Sequence, residues 1–405
     1  MRIPLLLGIS GLLLVPTARA LTYAEFVECV SAGGQGTECQ LNAGTYPVSK
    51  TISVGRSNFA IEGTIVNGAR ATTLERAPGF KGPLIQDAAK AGSTLKSITI
   101  RDLTINGNRA QNGLAYSNYS PEVSIFAVDG LLIVNSAFNN SPSIGLALYG
   151  AGTANVVVNS CTFTDPVIYG LWSDATGDNS NITYLDCAKE RFVNNVIVSN
   201  SQFQNAGEPA ILGEMTNVQI MDNVFTNNHS RSIPFDDDGG QIDLTVCTQN
   251  AVIFNNTFQN GSASPNGHVA DGIELHGTNI ALINNTVKNN TGGGINMDGV
   301  QNIFIANWNP DTGNFANAHS GIEIAHSSTT FRPTEWLTVD DAYATGNDQW
   351  GIWSDTSNTT PTQPVNHLTV ENTCLSSDEL GPTYLKNLGS DVTLKSNQTS
   401  GCAPK

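Results

Sequence analysis

Five residues able to act as acids, bases or ligands fall at matching places in a repeated short segment: Asp243, Glu274, His276, Asp298 and Glu323. The segment occurs at 145–150 (GLALYG), 170–174 (GLWSD), 210–214 (AILGE), 241–246 (QIDLTV), 272–277 (GIELHG), 294–299 (GINMDG), 321–326 (GIEIAH) and 351–355 (GIWSD). Its second and fourth residues are mostly aliphatic, the period-2 signature of a strand with one face inward. Outward third positions read Ala147, Trp172, Leu212, Asp243, Glu274, Asn296, Glu323 and Trp353. Fifth positions read Tyr149, Asp174, Glu214, Thr245, His276, Asp298, Ala325 and Asp355. If the copies stack, carboxylates gather at the centre of one face, with aromatic residues at its ends. Adjacent strands would then put Asp243 and Glu274 about 5 Å apart, and Glu274 and Glu323, two strands apart, about 10 Å.

Crowded carboxyls repel, so one of them keeps its proton near neutral pH, as a glycosidase general acid must. The spacing falls near the ranges used for acid/base hydrolysis of glycosidic bonds. Glu274 and Asp298 are the preferred acid/base pair, Asp243 and Glu323 support them, and His276 orients or tunes the acid. Trp172, Trp353 and Tyr149 offer flat apolar surfaces for sugar rings. Asp174, Glu214 and the loop residue Arg231 complete the expected substrate-binding set. No cofactor is required by this chemistry, although the same oxygens could collect Ca²⁺. A plain solvated acidic face is the bland alternative, and for His276 taken alone a structural role.

A second repeat must position these residues. Six gap-free stretches start at Gly130, Asn155, Asn195, Asn217, Asn250 and Asn279, run through alternating aliphatics, and end eight residues later in Phe or Val. Their starts lie 22 to 40 residues apart. No single copy can bury its apolar face, so the copies stack as a solenoid with a continuous core. The shortest spacing, with two or three short strands and no helix between, fits one turn of a parallel β-helix. Asparagine numbers 44 and glycine 39 in 405 residues, whereas charged residues are only 13%. Both residues suit bends, and stacked Asn side chains can bond to one another along a ladder. Glycosylation at Asn-x-Ser/Thr sequons such as Asn118, Asn228 and Asn358 is the competing account of the Asn excess.

The stretch 23–32 (YAEFVECVSA) reads as a short amphipathic helix that would cover the open end of the first coil. It is followed by 39–54 (CQLNAGTYPVSKTISV) and 58–68 (NFAIEGTIVNG). Helix, "AGTY" and first coil together resemble the right-handed parallel β-helix proteins of the pectin-lyase-like superfamily, over roughly residues 22–375. The resemblance implies an all-β, single-domain right-handed parallel β-helix of about ten coils behind an N-terminal capping helix, with 376–405 as a C-terminal cap or tail. It implies no particular reaction. The polygalacturonase signatures are reduced to echoes at 236–238 (DDD) and 267–269 (GHV), and the Asp-Pro-His signature of alginate epimerases is absent. A uronate lyase would need a groove cation, and Lys189, Arg191 and Arg231 fall in predicted loops. Three insertions, 175–193, 228–239 and 261–270, are expected as loops at the rim of the site.

Residues 1–20 read as an export signal: Arg2, an apolar run from Ile3 to Pro16, then Ala18-Arg19-Ala20 as the cleavage site. A secreted protein, extracellular or periplasmic, is expected. Net charge is −16, and loss of two arginines with the signal makes it more acidic, which argues against nucleic acid or an anionic membrane as partner. Seven cysteines and no C-x-x-C favour disulfides over zinc. The nearest-neighbour pairs are Cys29–Cys39, Cys374–Cys402 and Cys161–Cys187, leaving Cys247 odd. Three activities fit: a polysaccharide glycosidase, first; a Ca²⁺-assisted polyuronate lyase or C5-epimerase, second; and a glycan-binding or adhesion module without turnover, third. Substrate identity and oligomeric state are not written in these residues.

Overall fold

The computed structural model describes residues 21–400 apart from 33–35, 90–91, 114–119, 151, 175–186, 189, 232–238, 308–312, 326–333, 356–363, 377 and 387. The signal at 1–20, the acidic run 236–238, Lys189, Asn118, Asn358 and Cys402 lie outside the described residues, as does most of the insertion at 175–193. Three parallel sheets of 13, 12 and 12 strands wind into a right-handed β-helix. A typical coil places Ala154–Asn159 in the first sheet, Thr162–Thr164 in the second and Leu171–Asp174 in the third, then climbs to Val193–Ser199. With 12 or 13 described strands per sheet, the solenoid is in keeping with the expected ten or so coils. The early strands Ile52–Val54, Ile85–Asp87 and Val123–Ile125 belong to the third sheet without carrying its Gly-aliphatic signature. Gly381–Lys386 and Thr393–Lys395, within the stretch read as a cap or tail, add further strands.

The nine-residue stretch is two strands, not one. A residue with left-handed φ bends the chain between them: Ser160 (54°), Asn200 (51°), Asp222 (57°), Asn255 (55°) and Asn284 (53°). Asn is among the few L-residues that enter this region at low cost. Among the described residues it accounts for 19 of the 31 non-glycine residues with positive φ. The Asn excess therefore has a backbone cause as well as a ladder cause.

The ladders are present. Buried Asn223, Asn256 and Asn285 bond in series, Asn223 Nδ2 to Asn256 Oδ1 at 3.0 Å and Asn256 Nδ2 to Asn285 Oδ1 at 3.0 Å. An outer file runs from Asn302 through Asn279 and Asn250 to Asn217. Inside the second sheet, Phe138, Phe163, Phe203, Phe225 and Phe258 stack face to face with centroids 4.6–4.9 Å apart. These are the phenylalanines that end five of the six stretches.

The helix spans Tyr23–Ala32 as expected. Thr22 and Glu25 form a reciprocal cap, each side chain reaching the other's backbone N–H. Phe26 and Val30 close the core. The Cys29–Cys39 disulfide ties the helix to the first strand, Glu38–Gln40. The expected Cys161–Cys187 pair is not formed. Cys161 is a buried free thiol turned into the core, and Cys187 instead bonds Cys247, so Cys247 is not the odd residue. The correct pair is 60 residues apart in the chain, with a Cα–Cα distance of 5.2 Å. Cys374 is also disulfide-bonded.

Candidate active site

The third sheet carries the expected column strand by strand. Cα partners run Ala147–Trp172–Leu212–Asp243–Glu274–Asn296–Glu323–Trp353 without a slip. In the fifth-position column Tyr149 pairs with Asp174, and Asp298 with Ala325. Aliphatic second and fourth positions, such as Ile242, Leu244, Ile273 and Leu275, are fully buried, which turns the third positions outward.

Glu274 and Asp243, on adjacent strands, meet His276. Its Nε2 lies 3.1 Å from Glu274 Oε1 and 3.7 Å from Asp243 Oδ1, and the ligating atoms of all three lie within 4.8 Å of one another. His276 Nδ1 lies 3.2 Å from the Asp298 carbonyl oxygen. A carbonyl only accepts, so Nδ1 donates to the Asp298 oxygen, which leaves Nε2 facing Glu274 Oε1. Burial opposes the imidazolium, but the hydrogen bond to Glu274 and the charges of Glu274, Asp243 and Asp298 outweigh it and push the His276 pKa up to about 10.

The surrounding acids are pushed the other way from ionisation. Burial, then the charge of Glu274, hold Asp243 well above the carboxylate range, with Glu214 and Asp298 adding to the effect. Asp298 is raised to about 6 by burial, with His276 opposing and Glu274 and Glu323 reinforcing. Glu323 is raised by burial although Ser320 N–H donates to its Oε1 at 3.0 Å. Glu214 is raised by burial and by Asp174, while the Thr245 hydroxyl donates to its Oε1 at 2.6 Å.

Asp271 belongs to the cluster and escapes the sequence reading. It immediately precedes Gly272, where the aligned copy begins, so it falls outside both columns. It is buried, accepts from Gly293 N–H and from Asn296 Nδ2, and is raised by burial and by Glu323 and Glu274. A visible signal is the glycine run 292–294. A Cβ on Gly292 would lie 2.2 Å from Asp271 Oδ1, and one on Gly293 3.0 Å from the Glu323 carboxyl carbon. Two carboxyl groups can reach this turn only because it has no side chains.

The flanking residues depart from expectation in part. Trp172 is buried at 5% exposure among Ile144, Ala147, Val167, Ile168 and Tyr169. It packs rather than offering an open face. Trp353 is half-buried beside Glu323. Asp174 is buried next to Glu214. Arg231 is half-buried, its N–H donating to the Gly207 carbonyl, near the Glu208–His229 pair at 3.6 Å. A Cβ on Gly239 would lie 3.7 Å from His229 Cδ2 and 3.6 Å from Glu274 Oε2, so that pair borders the central carboxylates.

Four buried oxygens of the cluster receive no hydrogen bond from the described residues: Asp243 Oδ1, Glu274 Oε2, Asn296 Oδ1 and Asp298 Oδ1. Such groups are costly unless water, substrate or a cation meets them. As a ligand set they suit an oxygen-seeking ion such as Ca²⁺ better than one needing imidazole, because His276 would first have to lose a proton.

No family model matches the sequence, and no curated protein matches it by sequence. Solved structures do. The periplasmic alginate epimerase AlgG superimposes with a TM-score of 0.59 at 15% identity, covering 90% of this chain and 77% of its own. The AlgE4 A-module, a mannuronan C-5 epimerase of Azotobacter vinelandii, gives 0.50 at 14% identity over 93% and 94%. PfbA, a surface adhesin of Streptococcus pneumoniae, gives 0.59 at 14% identity over 89% and 86%. At such identities the likeness concerns architecture alone: the chain has the right-handed parallel β-helix fold.

Proposed function

We propose that the protein is an exported carbohydrate-active enzyme that hydrolyses glycosidic bonds of a polysaccharide lying across the third sheet. One observation carries the reading: Asp243, a carboxyl whose pKa burial pushes well above the ordinary range, sits on the strand next to Glu274, whose Oε1 lies 3.1 Å from His276 Nε2. Two disulfides among the described residues fit an oxidising compartment.

In this assignment Asp243 protonates the leaving glycosidic oxygen, and Glu274 attacks the anomeric carbon or activates water. The ligating oxygens of the two residues lie within 4.8 Å, closer to the separation of about 5–5.5 Å in retaining enzymes than to the wider inverting one. His276 is a positioning residue, holding Glu274 by one ring nitrogen and the Asp298 backbone by the other. Asp298, paired with Glu274 from sequence, becomes the neighbour that keeps negative charge near Asp243. Replacing Glu274 by Gln should lower release of reducing ends from a cleaved polysaccharide by at least 10³-fold. Near-normal release would remove the assignment.

A second reading rests on the four unpartnered oxygens. Asp243, Glu274, Asn296 and Asp298 would hold Ca²⁺, which would bring a polyuronate carboxylate to an otherwise repellent face, for β-elimination or C5-epimerisation. Loss of activity in a chelator, with an unsaturated product absorbing in the ultraviolet or a changed uronate ratio, favours it over hydrolysis. Saturable binding with neither product supports a non-catalytic module.

A further inference from the structure

The first sheet presents a face of opposite character to the acidic third sheet. Six consecutive strands, Ala154–Asn159, Val193–Ser199, Met215–Met221, Gln249–Phe254, Thr278–Ile283 and Gln301–Ala306, contain no Asp, Glu, Lys, Arg or His, although 13% of the chain is charged. Alternate residues such as Val156, Val158, Ala251 and Ile253 are buried, which turns their neighbours outward. One outward column reads Val157, Ile197, Gln219, Val252, Ala281 and Phe304 in unbroken register. Beside it, Met221, Phe254 and Ile283 follow one another on adjacent strands. Val252 is 39% and Phe254 37% exposed, and Leu132, which continues the column on Val128–Val134, is 37% exposed. Charge returns at the ends of the file, with Lys96, Arg101 and Asp129 towards the N-terminus and Glu335, Asp340 and Glu371 towards the C-terminus.

The borders of this face are polar and bonded within themselves. Asn195 donates to Asn155 Oδ1 at 2.6 Å and Asn279 to Asn250 Oδ1 at 3.0 Å along one side. On the other, Asp222 accepts from Asn255 Nδ2 at 2.6 Å. Strands of six or seven residues at about 3.3 Å per residue, stacked seven deep at about 4.8 Å, make a face of roughly 34 by 20 Å. That footprint, roughly 700 Å², approaches the ~800 Å² that each partner contributes to a standard interface. An apolar centre inside a polar rim is the composition of an interface rather than of a solvated surface. At net charge −16 two copies repel at long range, so they meet closely only where local charge is absent. A flat uncharged strip carries no charge pattern to select a foreign partner, but it matches its own copy in length and width through a two-fold axis.

We propose that the protein self-associates as a homodimer, with the first sheets of two copies packed face to face through Val252, Phe254 and their neighbours. Facing sheets pack about 10 Å apart, a gap that interdigitated side chains of this size fill. Burial of the apolar strip drives the contact, and no ion pair is needed. The third sheet lies on a different side of the coil, so each copy keeps its acidic groove open. The dimer is independent of the chemistry assigned to that groove.

Sedimentation velocity and light scattering over a wide range of protein concentration test this, with circular dichroism to verify folding in each variant. Wild type should pass from monomer to dimer with a single dissociation constant, and added salt should tighten the dimer by screening the repulsion between acidic copies. Val252→Asp with Phe254→Asp should weaken association by at least about a hundredfold, because like charges then face each other across the two-fold. Val252→Thr with Phe254→Thr, uncharged and suited to a strand, should weaken it by about tenfold. Gln202→Asp with Thr257→Asp places the same two charges on the second sheet and should change the dissociation constant by less than about threefold. A wild type that stays monomeric at every concentration, a dimer that salt dissociates, or a dimer unmoved by both first-sheet variants overturns the proposal. Equal weakening by the second-sheet variant does so too, because it assigns the effect to net charge rather than to the face.

Discussion

Asp298 shows at residue scale how the site trades stability for chemistry. Its pKa is about 6 in the folded chain against an ordinary 3.8, so the fold prefers the protonated form. That preference contributes fully below about pH 4 and is lost as pH rises through 6, after which the ionised group destabilises the fold. Asp298→Asn should therefore raise stability at pH 7.5 by on the order of 2 kcal/mol, with the difference vanishing below about pH 4. Thermal melts across that range check it, and a pH-independent difference would contradict the burial argument. His276 runs similarly in sign but higher in pH. Its raised pKa gives stability that is complete below about 6.5 and lost as pH rises towards 10. His276→Gln should consequently destabilise most below about pH 6.5 and least near pH 10, read from thermal melts across that range.

At the scale of the elements, the bends are held by side chains from neighbouring coils. Asn256 shows the density of this bonding: its Oδ1 accepts from Asn223 N–H, and its Nδ2 donates to the carbonyls of Ile220 and Phe254 and to Asn285 Oδ1. Removing it strands several buried polar groups at once, each worth roughly 1–3 kcal/mol. Asn256→Ala should lower stability by about 2–4 kcal/mol, read as a shifted denaturation midpoint, whereas Asn302→Gly, which removes an exposed ladder side chain but keeps the left-handed bend, should cost under about 1 kcal/mol. Equal losses at both sites would show that burial of the ladder does not matter. The stacked phenylalanines serve the adjacent sheet in the same way, each ring supporting the next.

For the molecule as a whole, a solenoid must cover the strand edges at its ends. The helix Tyr23–Ala32 does so at the N-terminus through Phe26 and Val30. Phe26→Asp should undock it, and the exposed edge should then associate with other copies, seen as higher species in size-exclusion chromatography. A monodisperse, wild-type-like profile would mean that the Cys29–Cys39 link alone holds the cap. The Cys187–Cys247 bond closes a loop of 60 residues across the rim, and Cys187→Ser with Cys247→Ser should cost about 2–5 kcal/mol. An unchanged melting temperature in that variant would place the bond's role elsewhere.

Much of this molecule was legible in one dimension because its fold is itself nearly one-dimensional. Period-2 aliphatics and the recurring Gly or Asn dictate short strands and bends, and stacking then makes residues two dozen or more places apart into neighbours. This is why the column from Ala147 to Trp353 could be aligned by eye, and why the helix at 23–32 was readable from its own apolar spacing. What stacking does not encode is how far each side chain sinks and what meets it across a turn. Asp271 joins the acids through the glycine run 292–294, a contact between turns that no strand alignment contains. Trp172 is withdrawn into a cluster built partly from Val167 and Ile168, while Phe126, outside every aligned copy, is the exposed ring. Cys187 finds Cys247 rather than Cys161 because a disulfide needs two Cβ atoms pointing at each other, and Cys161 points into the core. Local pattern determined the coils and their register. Only the packed structure decided which carboxyls lose enough water to have their pKa values pushed up.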